Sequence, residues 1–255
     1  MQIITSPSKT QHFNGREYSD YSLPRLQKKT KTLIDLLKKM SREELALLLH
    51  TSEKLTDVSY RRIHSLTTKV TLQNASQALF TYQGDAYSAI TADRYSDEEL
   101  SHAQRHLFIL SALHGILRPL DLIQPYRLEM ATPLAIDSNQ NLYQYWRDPV
   151  TEILKADLAK DNERTLIILA STEYAKLVDK KEFSGAIITI SFKERQQGRY
   201  RTIPVYAKRA RGLMVHYVIS KRISDPLLLR DFREDGYGYC ATESTEREWV
   251  FCRKS

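Results

Sequence analysis

Leu166-Ile167-Ile168-Leu169-Ala170-Ser171-Thr172-Glu173-Tyr174 reads as a strand that runs straight into a helix. The unbroken apolar run from Leu166 to Ala170 suits a strand buried on both faces, and Ser171-Thr172-Glu173 supplies the capping chemistry of a helix start. A second junction lies at the beginning of the chain, where Met1 to Thr5, rich in β-branched residues, reads as a short strand broken by the turn Ser6-Pro7-Ser8-Lys9-Thr10. Further on, Ala186 to Phe192 and Tyr200 to Tyr206 bracket a turn at Gly198, which predicts an antiparallel pair with Pro204 near an edge; a helix from Lys208 to Arg222 follows. If the first two strands are parallel neighbours, their loops and the start of that helix converge on one crevice. Lys9, Glu173, Lys208 and Arg211 would then share an anionic ligand.

Between these junctions the chain is largely helical. Leu26, Leu33, Ile34, Leu36 and Leu37 recur at helical spacing within 22–40, and the lysines among them make that helix basic and amphipathic. Ser41 with Glu44 and Ser96 with Glu99 are capping boxes, the second opening a helix through His106. Thr51 to Val58 reads as a hairpin leading into a third helix. Leu107 to Leu113 is apolar and compatible with strand or helix, whereas Leu117 to Met130, with two prolines and many polar groups, reads as a structured loop. Tyr143 to Leu158 is helical, with Pro149 limiting where its N-terminus lies, and Gly236 to Cys252 ends in a strand. The expectation is α/β: a single compact domain over residues 1–255, with a mixed β-sheet flanked by helices.

With 255 residues, 42% hydrophobic and 27% charged, the chain can bury a full core. Lysine and arginine number 38 against 31 aspartates and glutamates, a formal net charge of +7 that favours polyanionic partners. The first residues, MQIITSPSKT, lack the pattern of a secretory signal, and no apolar run approaches the ~20 residues that span a bilayer. Cys240 and Cys252 have no C-x-x-C spacing, which fits a reduced compartment. A cytoplasmic protein without membrane contact is expected, with a monomer favoured.

Two polar segments can carry chemistry. In Arg118-Pro-Leu-Asp121-Leu-Ile-Gln124-Pro-Tyr126-Arg127-Leu-Glu129, two guanidiniums can grip phosphate or carboxylate while Asp121 and Glu129 act as bases or orient the arginines. An internal ion-pair network that locks the loop explains the same residues. Lys208-Arg209-Ala210-Arg211-Gly212 places cations at a helix start, where they oppose the macrodipole unless an anion binds, or else mark a solvated helix end. No nucleotide-binding glycine loop, no H-E-x-x-H and no Cys/His cluster with zinc spacing is present, so neither a cofactor nor a metal site is expected. His102 and His106, four apart, read as packing or surface residues.

The segments SPSKT (6–10), SEKL (52–55), YQGDAY (82–87), LRPLDLIQPYRLEM (117–130), LYQYW (142–146) and YAKRARGLM (206–214) resemble those of the YaaA peroxide-stress family, in order along the chain. The resemblance implies an α/β fold of its own type with a basic cleft, binding to double-stranded DNA without sequence preference, and survival of hydrogen peroxide by limiting reactive iron and DNA damage. It also implies a helix-hairpin-helix element, which maps near residues 41–65. Lys54, Arg61 and Arg62 would be its cations. In Leu55-Thr56-Asp57-Val58, aspartate stands where that turn usually has glycine, and its charge repels phosphate.

Two functions follow. A duplex binder would use Lys9, Lys54, Arg61, Arg62, Lys208, Arg209 and Arg211 on the backbone and bind with steep salt dependence. An enzyme acting on a nucleotide or nucleic acid would grip phosphate with Arg118, Arg127 and Arg211 and use Asp121, Glu129 or Glu173 as acid or base. Binding ranks first because it requires fewer contacts, although the enzyme accounts better for the 117–130 loop. A peroxide sensor working through Cys240 and Cys252 ranks third, since Arg253 and Lys254 are the only cations adjacent to either thiol in sequence.

Overall fold

The computed structural model describes residues 1–13, 18–161 and 163–253. Its strands are β1 (Gln2–Thr5), β2 (Ser76–Gln77), β3 (Leu107–Ser111), β4 (Gly115–Leu117), β5 (Leu122–Ile123), β6 (Leu166–Ile168), β7 (Ile187–Gln196), β8 (Arg199–Arg201), β9 (Tyr237–Tyr239) and β10 (Glu248–Arg253). Its α-helices are α1 (Gln27–Lys38), α2 (Arg42–Leu49), α3 (Glu53–Ser65), α4 (Ala78–Thr81), α5 (Asp85–Ile90), α6 (Asp97–His106), α7 (Leu142–Leu158), α8 (Thr172–Ala175) and α9 (Pro204–Ser220).

The apolar runs become the centre of one mixed sheet ordered β4-β3-β1-β6-β7-β10-β9, with β8 paired to β7. Five of these strands, β3-β1-β6-β7-β10, are mutually parallel, with Ile3 opposite both Leu107 and Ile167. β1, β3 and β6 are buried at every position, as strands covered on both faces must be. This settles Leu107 to Ser111 as strand: a short apolar run suffices to cross a domain when extended, and α6 ends just before it. β7 alternates buried and half-buried residues, and α9 packs on it. α5 and α6 pack against α9, and one continuous hydrophobic core joins sheet and helices.

The topology fixes where a ligand can lie. β1 is followed in the sheet by β3 on one side, while its other neighbour β6 is followed by β7 on the opposite side. The loops leaving β1 and β6 therefore diverge, opening a crevice beyond their C-terminal ends, the usual ligand position of open α/β sheets.

Both capping boxes form: Ser41 and Ser96 each accept the backbone N–H three residues on, and Glu44 and Glu99 return the bond. Three expectations are corrected. Residues 55–58 are not a turn, because Glu53–Ser65 is one helix; the hydroxyl of Thr56 bonds back to Ser52 O at 3.1 Å, and the left-handed residue before the helix is His50. Pro149 does not mark the start of α7 but lies inside it. Asn141 caps the helix upstream, and burial of Tyr145, Trp146 and Val150 around the proline offsets the lost backbone bond. Pro204 is not at a strand edge: it is the first residue of α9, where its fixed φ suits the first turn and its missing N–H costs nothing.

Two imidazoles are buried within this core. Burial pushes His114 down to about 3 and His102 down to about 4, from an ordinary 6.5. Because the folded values lie below the unfolded ones, protons bind the unfolded chain preferentially. The stability these groups contribute is complete above about pH 6.5 and is lost as the pH falls toward their folded values. Urea unfolding at pH 6.5 and pH 5 is expected to show a loss of up to about 1.4 kcal/mol per histidine per pH unit in the wild type. A His102→Gln/His114→Gln variant flattens that slope.

Candidate anion-binding crevice

The crevice at the ends of β1 and β6 has a volume of about 740 Å³ and is walled by five segments. Ser6 to Gln11 come from the β1 loop, Gln83 to Tyr87 from the start of α5, Tyr126 to Glu129 from the proline-stiffened loop, Ser171 to Tyr174 from the β6 loop and α8, and Ala207, Lys208 and Arg211 from α9. Lys9, Glu173, Lys208 and Arg211 thus meet at one site, and Arg127 and Glu129 join them.

Local chemistry holds these walls in place. The Ser171 backbone N–H donates to Ser6 Oγ at 2.8 Å, and the two serine hydroxyls lie 3.2 Å apart. Ser171 therefore stitches the two strand-end loops together and makes no side-chain cap to its own helix. Tyr87 donates its hydroxyl to Ser6 O at 2.9 Å. Gly84 opens α5 at φ 100°, a left-handed backbone that glycine adopts freely, and so folds Gln83 and Asp85 over the β1 loop. Behind the wall, the Tyr126 hydroxyl lies 2.7 Å from that of Tyr82 and 2.9 Å from Ser111 Oγ. Burial raises the tyrosine hydroxyls of 82, 87, 126 and 174, which stay protonated as hydrogen-bonding groups.

The charges are arranged unequally. Lys9 Nζ lies 2.6 Å from Glu129 Oε2 and Arg127 Nη2 3.7 Å from Glu129 Oε1, so Glu129 links two cations. Glu173 Oε1 accepts the Ala131 backbone N–H at 3.1 Å. Arg211 is placed differently: among the described residues it makes no ion pair, its Nε is sealed from water with no partner, and burial lowers its pKa. A half-buried guanidinium without counter-charge is costly, and an anion in the crevice would remove that cost. Lys208 lies beside it, one turn inside α9, not at the helix start, since the helix begins at Pro204.

The proline-stiffened loop divides between two roles. Asp121, fully buried, accepts from Ser22 Oγ at 2.6 Å, Arg118 N at 2.8 Å and Arg118 Nη2 at 2.9 Å. Burial pushes its carboxyl up, against the hydrogen bonds and charge of Arg118 and Ser22. Arg118 and Asp121 lock the loop onto the segment at Ser22 and do not wall the crevice; Arg127 and Glu129 do. Asp121→Ala is expected to cost about 2–4 kcal/mol by leaving Arg118 without its charge partner. Urea denaturation would read that loss, and phosphate affinity at the crevice should stay at the wild-type value.

The remaining cations lie elsewhere. Arg209 faces Asp235, 3.7 Å away. Lys54 and Arg61 are exposed on α3 and Arg62 is half-buried there, while Asp57 on the same helix is ion-paired with Arg42. Sequence reasoning overlooked Tyr126 as a wall residue and gave no role to Gln83, Gly84 and Asp85. The signal for them was the Gln-Gly-Asp turn within YQGDAY, which marks a sharp entry into a helix. Among the described residues no group of His, Cys, Asp and Glu is arranged to hold a metal ion, and no helix is long and apolar enough to cross a membrane.

Comparison with known proteins agrees with the motifs. A family model described as peroxide stress protein YaaA matches residues 1–243. A UPF0246 protein of Acaryochloris marina is 47% identical over 253 residues, covering 99% of this chain and 100% of the relative. UPF0246 proteins of Shewanella woodyi and Ralstonia nicotianae are each 41% identical, covering 100% of this chain and of their own length.

Proposed function

We propose, from the premise that this chain belongs to the peroxide stress protein YaaA family, that it serves the response to hydrogen peroxide by binding DNA through phosphate, with the crevice receiving one phosphate-bearing nucleotide unit. The observation that carries this reading is Arg211, a half-buried cation whose Nε has no partner among the described residues, in a wall shared with Lys9, Lys208 and Arg127. A volume of about 740 Å³ suits a nucleotide and is too small for a duplex, so a strand end or an extruded nucleotide enters while the rest of the DNA crosses the rim. Lys54, Arg61 and Arg62, on the helix pair α2–α3, would hold backbone outside the crevice. Cations seated on phosphates displace the counterions condensed there, and any ferrous iron held on that stretch of DNA would leave with them, which would keep iron-dependent oxidation away from the covered backbone.

Fluorescence anisotropy of a labelled duplex, repeated over a salt series, tests the proposal. The expected result is a steep salt slope, shallower in Arg61→Ala/Arg62→Ala by about one for each phosphate that is no longer neutralised, and competition by mononucleotides. Binding that ignores salt would refute it.

A second reading, an enzyme acting on a nucleotide or on nucleic acid, is favoured by one observation: Glu129 and Glu173 stand in the same walls as the cations. Glu129→Gln separates the two. A binding site keeps or gains affinity when that negative charge is removed, whereas an enzyme using Glu129 as acid or base binds its substrate and no longer turns it over.

A further inference from the structure

The two cysteines of the chain, twelve residues apart, lie side by side at one edge of the sheet. β9 and β10 run antiparallel with Tyr239 opposite Phe251 and Gly238 opposite Cys252, and the Cys240 backbone N–H donates to Val250 O at 2.9 Å. Since side chains alternate between faces, Cys240 and Cys252 are diagonal neighbours on one face of this hairpin. On that shared face each thiol bears on the other's protonation, favouring the thiolate of Cys240 and the protonated form of Cys252. Both residues are half-exposed, and neither is tied up in a disulfide. The hydroxyl of Thr242 stands 3.5 Å from Cys240 Sγ, and Lys193, directly across from Cys252 on β7, pairs with Glu243 at 3.0 Å.

We propose that Cys240 and Cys252 form a site of reversible oxidation by hydroperoxides, closing a disulfide within the chain across the β9–β10 hairpin. The Cys240 thiolate attacks one peroxide oxygen. The O–O bond breaks, the leaving oxygen takes a proton to become water or an alcohol, and Cys240 becomes a sulfenic acid, oxidised by two electrons as the peroxide is reduced. Cys252 then gives up its proton and attacks the Cys240 sulfur, whose S–O bond breaks and whose oxygen leaves as water. With hydrogen peroxide the sum is two thiols and one peroxide giving one disulfide and two waters. A dithiol reductant restores the thiols by exchange.

The surroundings divide the roles. Burial works against the Cys240 thiolate, but hydrogen bonds from Thr242, Cys252 and the Glu243 backbone N–H outweigh it and bring the thiol below its ordinary value. Cys252 is pushed up to about 12, by burial and by its donation to Cys240, and stays protonated until it is needed. Neither signal is visible in the sequence, where the adjacent cations were Arg253 and Lys254. Arg253 is turned to Glu194 and Asp235, and Lys254 lies outside the described residues.

The test uses the full-length reduced protein and one equivalent of hydrogen peroxide, followed by alkylation and peptide mass spectrometry without reductant. Wild type is expected to lose both alkylatable thiols together and to yield a Cys240–Cys252 linked peptide in a monomeric chain. Cys252→Ser is expected to accumulate a dimedone-reactive sulfenic acid at Cys240, and Cys240→Ser to oxidise at least about tenfold more slowly, since its remaining thiol is scarcely ionised. Wild type that keeps both thiols, a link between two chains, or single variants that oxidise at equal rates would each overturn the proposal. The wild-type arm needs no variant to fold.

Discussion

Gly212→Ala is expected to lower the unfolding free energy by about 2–4 kcal/mol and to weaken ligand binding at the same time. Gly212 lies in the middle of α9, and a Cβ there would sit 2.0 Å from Ala86 O and 2.8 Å from its carbonyl carbon. The obstruction is backbone on α5, so no side chain can rotate aside. Alanine should improve helix propensity by about 1 kcal/mol, which the clash exceeds. To relieve it, α5 must move off α9, and α5 carries Asp85, Ala86 and Tyr87 into the crevice wall. A fall in urea midpoint without a change in slope would confirm the effect on stability. An unchanged midpoint would show that the close approach of α5 to α9 is not what glycine serves here.

The second large effect is functional and opposite in sign on stability. Lys208→Ala/Arg211→Ala is expected to weaken phosphate-dependent DNA binding by about 10–100-fold, because each charge-assisted hydrogen bond removed is worth about 1.5–3 kcal/mol and the two are not independent. The same substitution should leave the free protein as stable as wild type or more so, since Arg211 is half-buried with no counter-charge among the described residues. Arg209→Ala is the control: its side chain faces Asp235, outside the crevice, and affinity should remain near that of wild type. Arg211→Lys should restore only part of the affinity, because an ammonium lacks the planar fork that matches a phosphate. Anisotropy titrations and thermal melts with and without nucleotide would read both halves of this prediction. Equal loss in Arg209→Ala would point to diffuse surface charge.

What the sequence made legible was set by local physics. Buried parallel strands are continuous apolar runs, so β1 and β6 could be read, and with them the convergence of Lys9, Glu173, Lys208 and Arg211 on one crevice. The capping boxes at Ser41 and Ser96 were equally local. The hairpin read over Thr51 to Val58, onto which the family's turn at 55–58 was then mapped, failed because Ser52 and Glu53 already spelled a helix start. Proline was misread twice for the same reason. Pro204 is compatible with a strand edge or a first helical turn, and Pro149 with a helix start or an interior, and packing rather than sequence chooses.

The division of the 117–130 loop was not legible either. Arg118–Asp121 and Arg127–Glu129 look alike in sequence, yet Ser22 arrives from nearly a hundred residues away to bury one pair, and the other faces the crevice. The placement of Cys240 and Cys252 as diagonal neighbours on one face depends on strand register, which turn signals alone did not fix.

The central claim is that Arg211 waits for a phosphate. Nitrogen-15 NMR of the arginine side chains, with the Arg211 signal assigned by its disappearance in Arg211→Lys, tests this directly when a 5′-phosphorylated oligonucleotide is added. The account predicts that the Arg211 Nε resonance shifts and becomes protected from exchange, while that of Arg118, locked to Asp121, stays where it was. An oligonucleotide that binds without moving the Arg211 resonance would contradict it.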